Sequence, residues 1–425
     1  MALPTEILTK IFRLAIGTHA IGDPALSSVL PSCLIPGNFQ EESLSTNHSV
    51  ASVSRQWNSV ATTMLYEHIT LPIRPVARIE KLLNTLTNPV SGGGPSDLAR
   101  LVKRVDIPAV IPGERIGLVV QLCKKTTNLI AFFALLENGV DPRPLLNFLP
   151  GNLLHLHIQG QGMRAADPSM PLGDFNDFLV GHPDLATLSI PSGLAGDTGL
   201  QAGISWPSIR KLTLQNSDQA SALARYIPSG ALPNLEVVAF QGPGTPNRDW
   251  DSAIGSFLMV HGGPLVSVGL TQDDTREVSL ITSLQQVDQR CPHVREIILW
   301  FRVGPFSSER VHSTQLALTW IGLNNTARRM PQIVSLGIQL RFPGNNSDRM
   351  DHLQYAVVMP WTKHFPGLQK IRVLEEVDVE EYRAHDEVTQ DNLRSTGRFA
   401  KHPIRVEDIT GNLLGQFSNG ICAWA

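Results

Sequence analysis

The hydrophobic positions of the chain repeat a short phrase that is typical of a buried β-strand. The phrase reads P-x-L-x-x-L-x-L, with Leu, Ile and Val exchanging at the aliphatic positions. Its last two aliphatic residues are two positions apart and therefore point to the same face of a strand. The proline cannot continue a helix, so it marks the end of the preceding one. Clear copies occupy 182–190, 206–214, 232–240, 291–299, 330–338 and 365–373, and weaker ones occupy 101–107, 128–134, 152–158 and 263–270.

Segments with helical spacing lie between the strand phrases. Residues 249–260 place Trp250, Ile254 and Phe257 on one side of a helix, and residues 277–287 show the same spacing of aliphatic residues. One strand and one helix cannot bury their apolar faces alone, whereas stacked units share a continuous core. The pattern therefore predicts a solenoid of the α/β class with a parallel sheet. The alternative is a set of regular parallel βα layers in one open α/β domain.

The phrase resembles the leucine-rich repeat. The first aliphatic residues of successive phrases are 24 to 39 residues apart, and most of these spacings lie near the 20–29 residues of that family. The family usually has Asn or Cys three residues after the last strand aliphatic. Here those positions hold other residues, so we expect an irregular array without a buried asparagine ladder. The two longest spacings predict loop insertions at 301–313 and 341–351, outside the strand ladder.

Two amphipathic helices are predicted before the repeats. Residues 3–14 and 49–69 each carry an apolar stripe at helical spacing. Pro4 suits the first turn of a helix, and Glu6 suits the positive end of its dipole. Two short helices have too little core to be stable alone. They are expected either to cap the repeats or to serve as an adaptor module.

This N-terminal region resembles an F-box. That motif opens with Leu-Pro and an apolar helix, continues with a Val-x-(Ser/Cys)-Arg-x-Trp helix and ends in a Leu-Tyr-x-x-Ile-like phrase. The matching parts here are Leu3-Pro4, the run Val53–Trp57 and the run Leu65–Ile69. The resemblance covers about the first 70 residues, and its coupling to leucine-rich-like repeats is a layout that many F-box proteins share. A Ser-, Pro- and Gly-rich insertion at 19–47 departs from the motif and is predicted to be a loop.

The resemblance implies a role in protein degradation. F-box proteins dock on the Skp1 adaptor of a cullin–RING ubiquitin ligase, and their C-terminal domain captures the protein to be ubiquitinated. The residues implied for the Skp1-binding surface or its immediate core are Leu3, Pro4, Ile7, Leu8, Ile11, Phe12, Val53 and Trp57.

Composition and charge narrow the range of functions. Hydrophobic residues make up 42% of the 425-residue chain and charged residues 17%, which is an ordinary globular balance. The formal net charge is −3, and no basic stripe is visible, so neither nucleic acid nor a membrane is expected as the principal partner. The four cysteines form no C-x-x-C pair, so a reducing compartment, cytoplasmic or nuclear, fits best.

No arrangement of residues typical of an active site is found. His155 and His157 form an H-x-H pair on a predicted strand, but no third ligand lies nearby in sequence, so a solvated strand face is favoured over a metal site. No catalytic motif appears, and we expect neither enzymatic activity nor a cofactor. A hydrolase or transferase in an α/β domain is a further hypothesis, beside the two non-enzymatic ones given below.

The target protein is expected to bind the outward face of the repeat strands. On the strand at 294–300 the outward positions include Ile298 and Trp300, and an exposed pair of this kind would be unusual unless something covers it. If Trp300 is exposed, it is predicted to anchor the target, whereas burial by its own chain would exclude that role. The complete predicted target-binding set is His155, His157, Lys211, Ile298, Trp300 and Arg372.

These observations predict four regions and one main function. The regions are an F-box-like module at 1–72, a linker at 73–97, the repeat array at 98–380 and a C-terminal cap or tail at 381–425. The predicted function is a substrate-recruiting F-box subunit that binds Skp1, and through it a cullin, together with an unknown protein target. The alternative is a non-enzymatic repeat scaffold whose N-terminal helices only cap the solenoid.

Overall fold

The structure is a computed structural model that divides into two compact units, Met1–Ile209 and Arg210–Ala425. It describes residues 4–15, 49, 52–71, 77–87, 98–137, 139–160, 170–190, 194–195, 204–241, 249–273, 277–302, 329–341, 361–374, 404–407, 411, 413–418 and 421–424.

The first unit contains a helical pair followed by parallel strand–helix repeats. Neighbouring strands of its main sheet are parallel, in the order β1, β2, β3, β4 and β6, while β5 and β7 pair separately. Its strands are β1 (His68–Thr70), β2 (Arg104–Ile111), β3 (Ala131–Leu136), β4 (His155–Gly160), β5 (Met170–Pro171), β6 (Thr187–Ser189) and β7 (Leu194–Ala195). Its α-helices are α1 (Thr5–Ala15), α2 (Arg55–Glu67), α3 (Ala77–Thr87), α4 (Ile116–Lys125), α5 (Arg143–Leu146) and α6 (Leu172–Gly181), and short 3-10 helices occupy Leu98–Leu101 and Gly113–Arg115.

The second unit continues the same strand–helix alternation. Strands β8 to β14 pair in parallel and in chain order, and β15 and β16 then close the sheet in antiparallel orientation. Its strands are β8 (Lys211–Leu214), β9 (Val237–Phe240), β10 (Ser267–Asp273), β11 (Glu296–Arg302), β12 (Ser335–Arg341), β13 (Lys370–Val373), β14 (Ile404–Glu407), β15 (Leu413–Ser418) and β16 (Ile421–Trp424). Its α-helices are α7 (Ser217–Tyr226), α8 (Asp249–His261) and α9 (Glu277–Arg290), and a 3-10 helix occupies Trp361–Lys363. The predicted α/β class with a large parallel sheet is confirmed.

The aliphatic residues of the repeat phrase form the core of both units. Within the strands, pairs such as Leu212 and Leu214 are buried while the residue between them is less so. This alternation is the one predicted from the two-residue spacing. The first aliphatic residue of each phrase is also buried, with at most 3% of its surface exposed: Val102, Leu129, Leu153, Leu185, Ile209, Leu235, Leu265, Val294, Ile333 and Leu368.

A recurring turn explains the proline of the phrase. The N–H of Leu185 donates to the carbonyl of His182, 3.1 Å away, which places Pro183 at the second position of a β-turn, where proline is favoured. The same hydrogen bond, from an N–H to the carbonyl three residues earlier, forms at the other first aliphatic positions of the array. The proline therefore starts a turn as well as marking a helix end.

Most of the turns are followed by residues whose two N–H groups donate to one carbonyl of the preceding repeat. The carbonyl of Ile130 accepts the N–H groups of Leu154 and His155, at 2.8 and 3.0 Å. A carbonyl oxygen has two lone pairs, so both bonds can form at once. The same pair recurs at the carbonyls of Lys103, Leu154, Arg210, Glu236, Val266, Arg295 and Val334. Backbone bonds thus join successive repeats that have no asparagine at the family position.

The N-terminal helical pair leads directly into the sheet. Helix α2 ends at Glu67 and β1 begins at His68, so the helical pair runs directly into the first strand of the sheet. Helix α3 lies within the segment predicted to be a linker. Of the two predicted insertions, the first residues still belong to β11 and β12, and the remainder lies outside the described residues. The whole of the predicted loop at 19–47 also lies outside them.

Candidate functional site

Helix α1 carries apolar side chains on two faces. Leu8 and Phe12 are 0% and 1% exposed, whereas Ile7 and Ile11 are 44% and 45% exposed. Residues four apart lie above one another on a helix, so the sequence places one apolar pair in the core and another in water. Pro4 is exposed, and its carbonyl accepts the N–H groups of Ile7 and Leu8, both at 3.1 Å.

Helix α2 completes the core beneath α1. Val60 and Met64 pack against the buried face of α1, and Trp57 packs partly buried against the same cluster. The Trp57 ring contacts the Phe12 ring edge to face, with centroids 5.0 Å apart. The hydroxyl of Ser54 accepts the N–H of Trp57 at 3.2 Å and caps the helix.

The structure therefore divides the residues predicted to bind Skp1. Leu8 and Phe12 are core residues and are not available to a partner, and Trp57 is half-buried. Ile7, Ile11 and Val53 are exposed, Val53 at 60%. Pro4 is exposed beside them, and Leu3 lies outside the described residues.

Ion pairs hold the junction between the helical pair and the repeats. Lys103 Nζ lies 2.7 Å from a carboxylate oxygen of Glu67, the last residue of α2. Asp106 is 2% exposed, and Arg104 Nε donates to both of its oxygens at 3.0 Å. His68 Nε2 lies 2.7 Å from the same carboxylate. Burial alone would raise the pKa of Asp106, but Arg104 and His68 outweigh that effect and lower it. None of these pairings was foreseen from the sequence.

The predicted histidine pair lies on the outward face of β4. His155 and His157 are half-buried, whereas the alternating residues Leu156 and Ile158 are 0% exposed. His155 Nδ1 lies 3.1 Å from the hydroxyl of Thr187. The His157 ring stacks on Phe133, with centroids 5.3 Å apart. The predicted orientation of the two histidines is confirmed.

In the second unit, the predicted set is only partly accessible. Lys211 and Arg372 are half-buried at outward positions of β8 and β13. Ile298 and Trp300 are 1% and 3% exposed, so the prediction that they form an exposed anchor for the target is wrong.

Glycines on the neighbouring strands explain why Ile298 and Trp300 are buried. The Trp300 ring occupies the space that a side chain at Gly269 would need, and Ile298 packs beside Gly337. Gly269 and Ile298 are register partners, as are Ile298 and Gly337. Large side chains therefore fold flat over glycines across the sheet instead of projecting into water. The glycines are visible in the sequence, but their register opposite Ile298 could not be read from it.

Neither a metal centre nor a membrane span is found in the described part of the chain. Among those residues, no group of three or more His, Cys, Asp or Glu side chains is placed to hold a metal ion. No helix among them has the length and apolar character needed to cross a bilayer.

Comparisons with known proteins give only distant similarities. No family model matches the chain, and no curated protein does. The solved structures similar to it include the leucine-rich repeat-containing protein LegL7 from Legionella pneumophila, at 12% identity and a TM-score of 0.39 over 81% of this chain and 92% of that one. Another is a protein from Bacteroides fragilis, at 13% identity and a TM-score of 0.33 over 66% of this chain and 81% of that one.

Proposed function

We propose that this chain is a substrate-recruiting F-box subunit of a Skp1–cullin–F-box ubiquitin ligase. One observation carries the proposal: α1 keeps Ile7 and Ile11 in water although Leu8 and Phe12 already supply its core contacts. A lone exposed apolar residue needs no explanation, but a stripe of them on one helix is typical of a face that a partner covers. The F-box resemblance of the same residues supports Skp1 as that partner.

The proposal assigns different tasks to the two ends of the chain. The exposed face of α1, together with Pro4 and Val53, binds Skp1, while the repeat strands capture a protein target. The chain itself supplies no catalytic group. It holds the target near a ubiquitin-loaded enzyme and so raises the effective concentration of the reacting groups.

One observation favours the alternative, in which the N-terminal helices only cap the array. Helix α2 passes without a break into β1, and its last residue, Glu67, is paired with Lys103. Such continuity is expected of a cap, since repeat arrays need a covered end. Ile7 and Ile11 would not contribute to the packing of a cap, however, because both side chains point away from the core.

Co-purification with Skp1 tests the proposal. The double variant Ile7→Ser/Ile11→Ser should lose at least about tenfold in Skp1 capture, since burying each half-exposed isoleucine contributes on the order of 1 kcal/mol. Its thermal unfolding should stay within a degree or two of the wild type. The matched control is Met259→Ser, which removes a side chain that is 68% exposed on α8.

Two outcomes would contradict the proposal. If the wild-type chain captures no Skp1, the scaffold alternative replaces it. If Ile7→Ser/Ile11→Ser unfolds in parallel with the loss of capture, the two isoleucines are structural. Leu8→Ala is the expected example of that second behaviour, because truncating a fully buried leucine costs about 2–5 kcal/mol.

A further inference from the structure

A pocket of about 390 Å³ opens between α5 and α6 in the first unit. Leu146, Met170 and Phe178 form its apolar wall and are at most 9% exposed. His182 also lines it, and both of its ring nitrogens already lie against backbone carbonyls, those of Phe178 at 2.7 Å and Leu149 at 3.3 Å. A concave apolar surface with a few polar groups at its edge is the usual form of a binding site.

The polar edge of the pocket carries an excess of negative charge. Arg143 is the cation that lines it, and its guanidinium is already bound by Asp141, with Nε 2.8 Å from Oδ2. Burial alone would raise the pKa of Asp141, but its hydrogen bonds with Arg143 outweigh that effect and lower it, so Asp141 stays charged and keeps its partner. Asp174 lies 3.8 Å from the same guanidinium, a weak contact.

Asp177 is the second acid on the edge. It is exposed and makes no hydrogen bond or ion pair with any residue in the described part of the chain. Asp174 and Asp177 line the pocket with Arg143, whose guanidinium is bound by Asp141, so this edge carries three carboxylates and one guanidinium, an excess of two negative charges. Asp174 and Asp177 are three residues apart on α6, so their carboxylates lie on the same face of the helix.

We infer that this pocket binds an arginine side chain of a protein partner, together with an apolar residue next to it. A guanidinium presents five donors in a planar fork and can be shared between two carboxylates, which a single ammonium group does less well. The aliphatic stem of arginine would lie along the apolar wall while its charged end reaches Asp174 and Asp177. The pocket has room for the neighbouring apolar side chain as well, which favours a peptide segment over a free amino acid.

This site lies on the helices, whereas the target surface predicted from the sequence lies on the strands. The inference goes beyond the proposed function and rests on it only in making the bound protein a target for ubiquitination. Binding itself requires neither Skp1 nor a cullin, so the two proposals fail separately.

Fluorescence anisotropy with the purified full-length chain tests the inference. The probe is a fluorescein-labelled Gly-Ser decapeptide with one central Arg-Leu pair, titrated up to millimolar protein. A peptide with Glu-Leu in place of Arg-Leu should bind at least tenfold more weakly. The variant Asp174→Asn/Asp177→Asn should likewise weaken binding of the Arg-Leu peptide at least tenfold.

The matched control is the variant Glu114→Gln/Asp184→Asn. It removes the same number of negative charges from exposed positions of the same unit that do not line the pocket. It should bind the Arg-Leu peptide as the wild type does, and circular dichroism and thermal unfolding should show both variants folded.

Each opposite result overturns the inference. Absence of binding, equal binding of the Glu-Leu peptide, or an equal loss in the control variant would show that Asp174 and Asp177 do not select an arginine. If arginine amide alone competes as well as the peptide, the pocket takes a small basic molecule and not a protein segment.

Discussion

The packing of Trp300 over Gly269 can be tested by adding a single methyl group. A Cβ atom at Gly269 would meet Cη2 and Cζ3 of the Trp300 ring well inside the separation of about 3.5–4.0 Å at which carbon atoms make contact. The backbone at Gly269 does not have the positive φ that would exclude alanine. Any loss of stability in Gly269→Ala therefore reports the clash with the ring.

The expected loss follows from the burial of Trp300. Glycine to alanine normally stabilises a protein by about 0.4–1 kcal/mol where the backbone accepts it. Here the rigid indole must rotate away, and with 3% of its surface exposed it has no open space to enter. Overpacking of this kind costs about 1–3 kcal/mol. We expect Gly269→Ala to lower the free energy of unfolding by that amount, instead of raising it as a change from glycine to alanine usually does.

Urea unfolding followed by far-UV circular dichroism measures the change. Trp300→Leu should be destabilising alone but should rescue Gly269→Ala, with a coupling of at least about 1 kcal/mol between the two sites. The control is Gly263→Ala, because no atom lies within 4 Å of a Cβ placed there. If Gly269→Ala matches that control, or if Trp300→Leu gives no rescue, Trp300 does not pack in this way.

Three further expectations follow from buried or capping groups. Ser54→Ala should lower the free energy of unfolding by about 1 kcal/mol, the usual cost of losing a helix cap. Thermal unfolding measures the change, and Ser54→Thr, which keeps a hydroxyl, is the control. Asp106→Asn should cost about 3–5 kcal/mol, because Arg104 is left buried without its counter-charge. Since folding lowers the pKa of Asp106 below its ordinary value of 3.8, its contribution is complete well above pH 3.8 and is lost as the pH falls through the folded pKa. Urea unfolding between pH 7 and pH 2 should therefore show the variant losing less stability than the wild type. Burial raises the thiol pKa of Cys123 and Cys291 to about 12, so mass spectrometry should find both unlabelled by iodoacetamide at pH 8 in the folded chain and labelled after denaturation.

The repeat fold could be predicted because its signal is local. The repeat phrase consists of a proline, a first aliphatic residue and two further aliphatic residues two positions apart. Each of these features follows from local chain geometry, and the structure buries the predicted aliphatic residues. Helices α8 and α9 begin at Asp249 and Glu277, where the helical spacing begins in the sequence. The pairing that connects the N-terminal helices to the sheet could not be predicted in this way. The pairing of β1 with β2 joins His68 to Arg104 across a segment whose sequence looks like a linker.

The candidate sites were harder to predict, because they depend on which residues meet across repeats. The alternation of β4 correctly placed His155 and His157 outward. The same rule placed Trp300 outward, but it cannot say whether an outward residue stands free or lies flat on its neighbour. The answer came from Gly269, which is 31 residues earlier in the chain and adjacent only through the register. The pocket edge likewise joins Arg143 to Asp174 from different repeats.

The burial of outward residues limits where the strands can meet a protein target. In the first unit, Phe133 on β3 and Ser189 on β6 occupy outward positions but are 2% and 0% exposed, whereas Thr187 on β6 and both His155 and His157 on β4 are half-buried. A partner cannot contact the deeper residues unless the chain first uncovers them, and that step would reduce the affinity. Contacts with the strands should therefore concentrate on the half-buried outward side chains. Recognition of a target then needs additional surface elsewhere, and the acidic pocket beside α6 offers it.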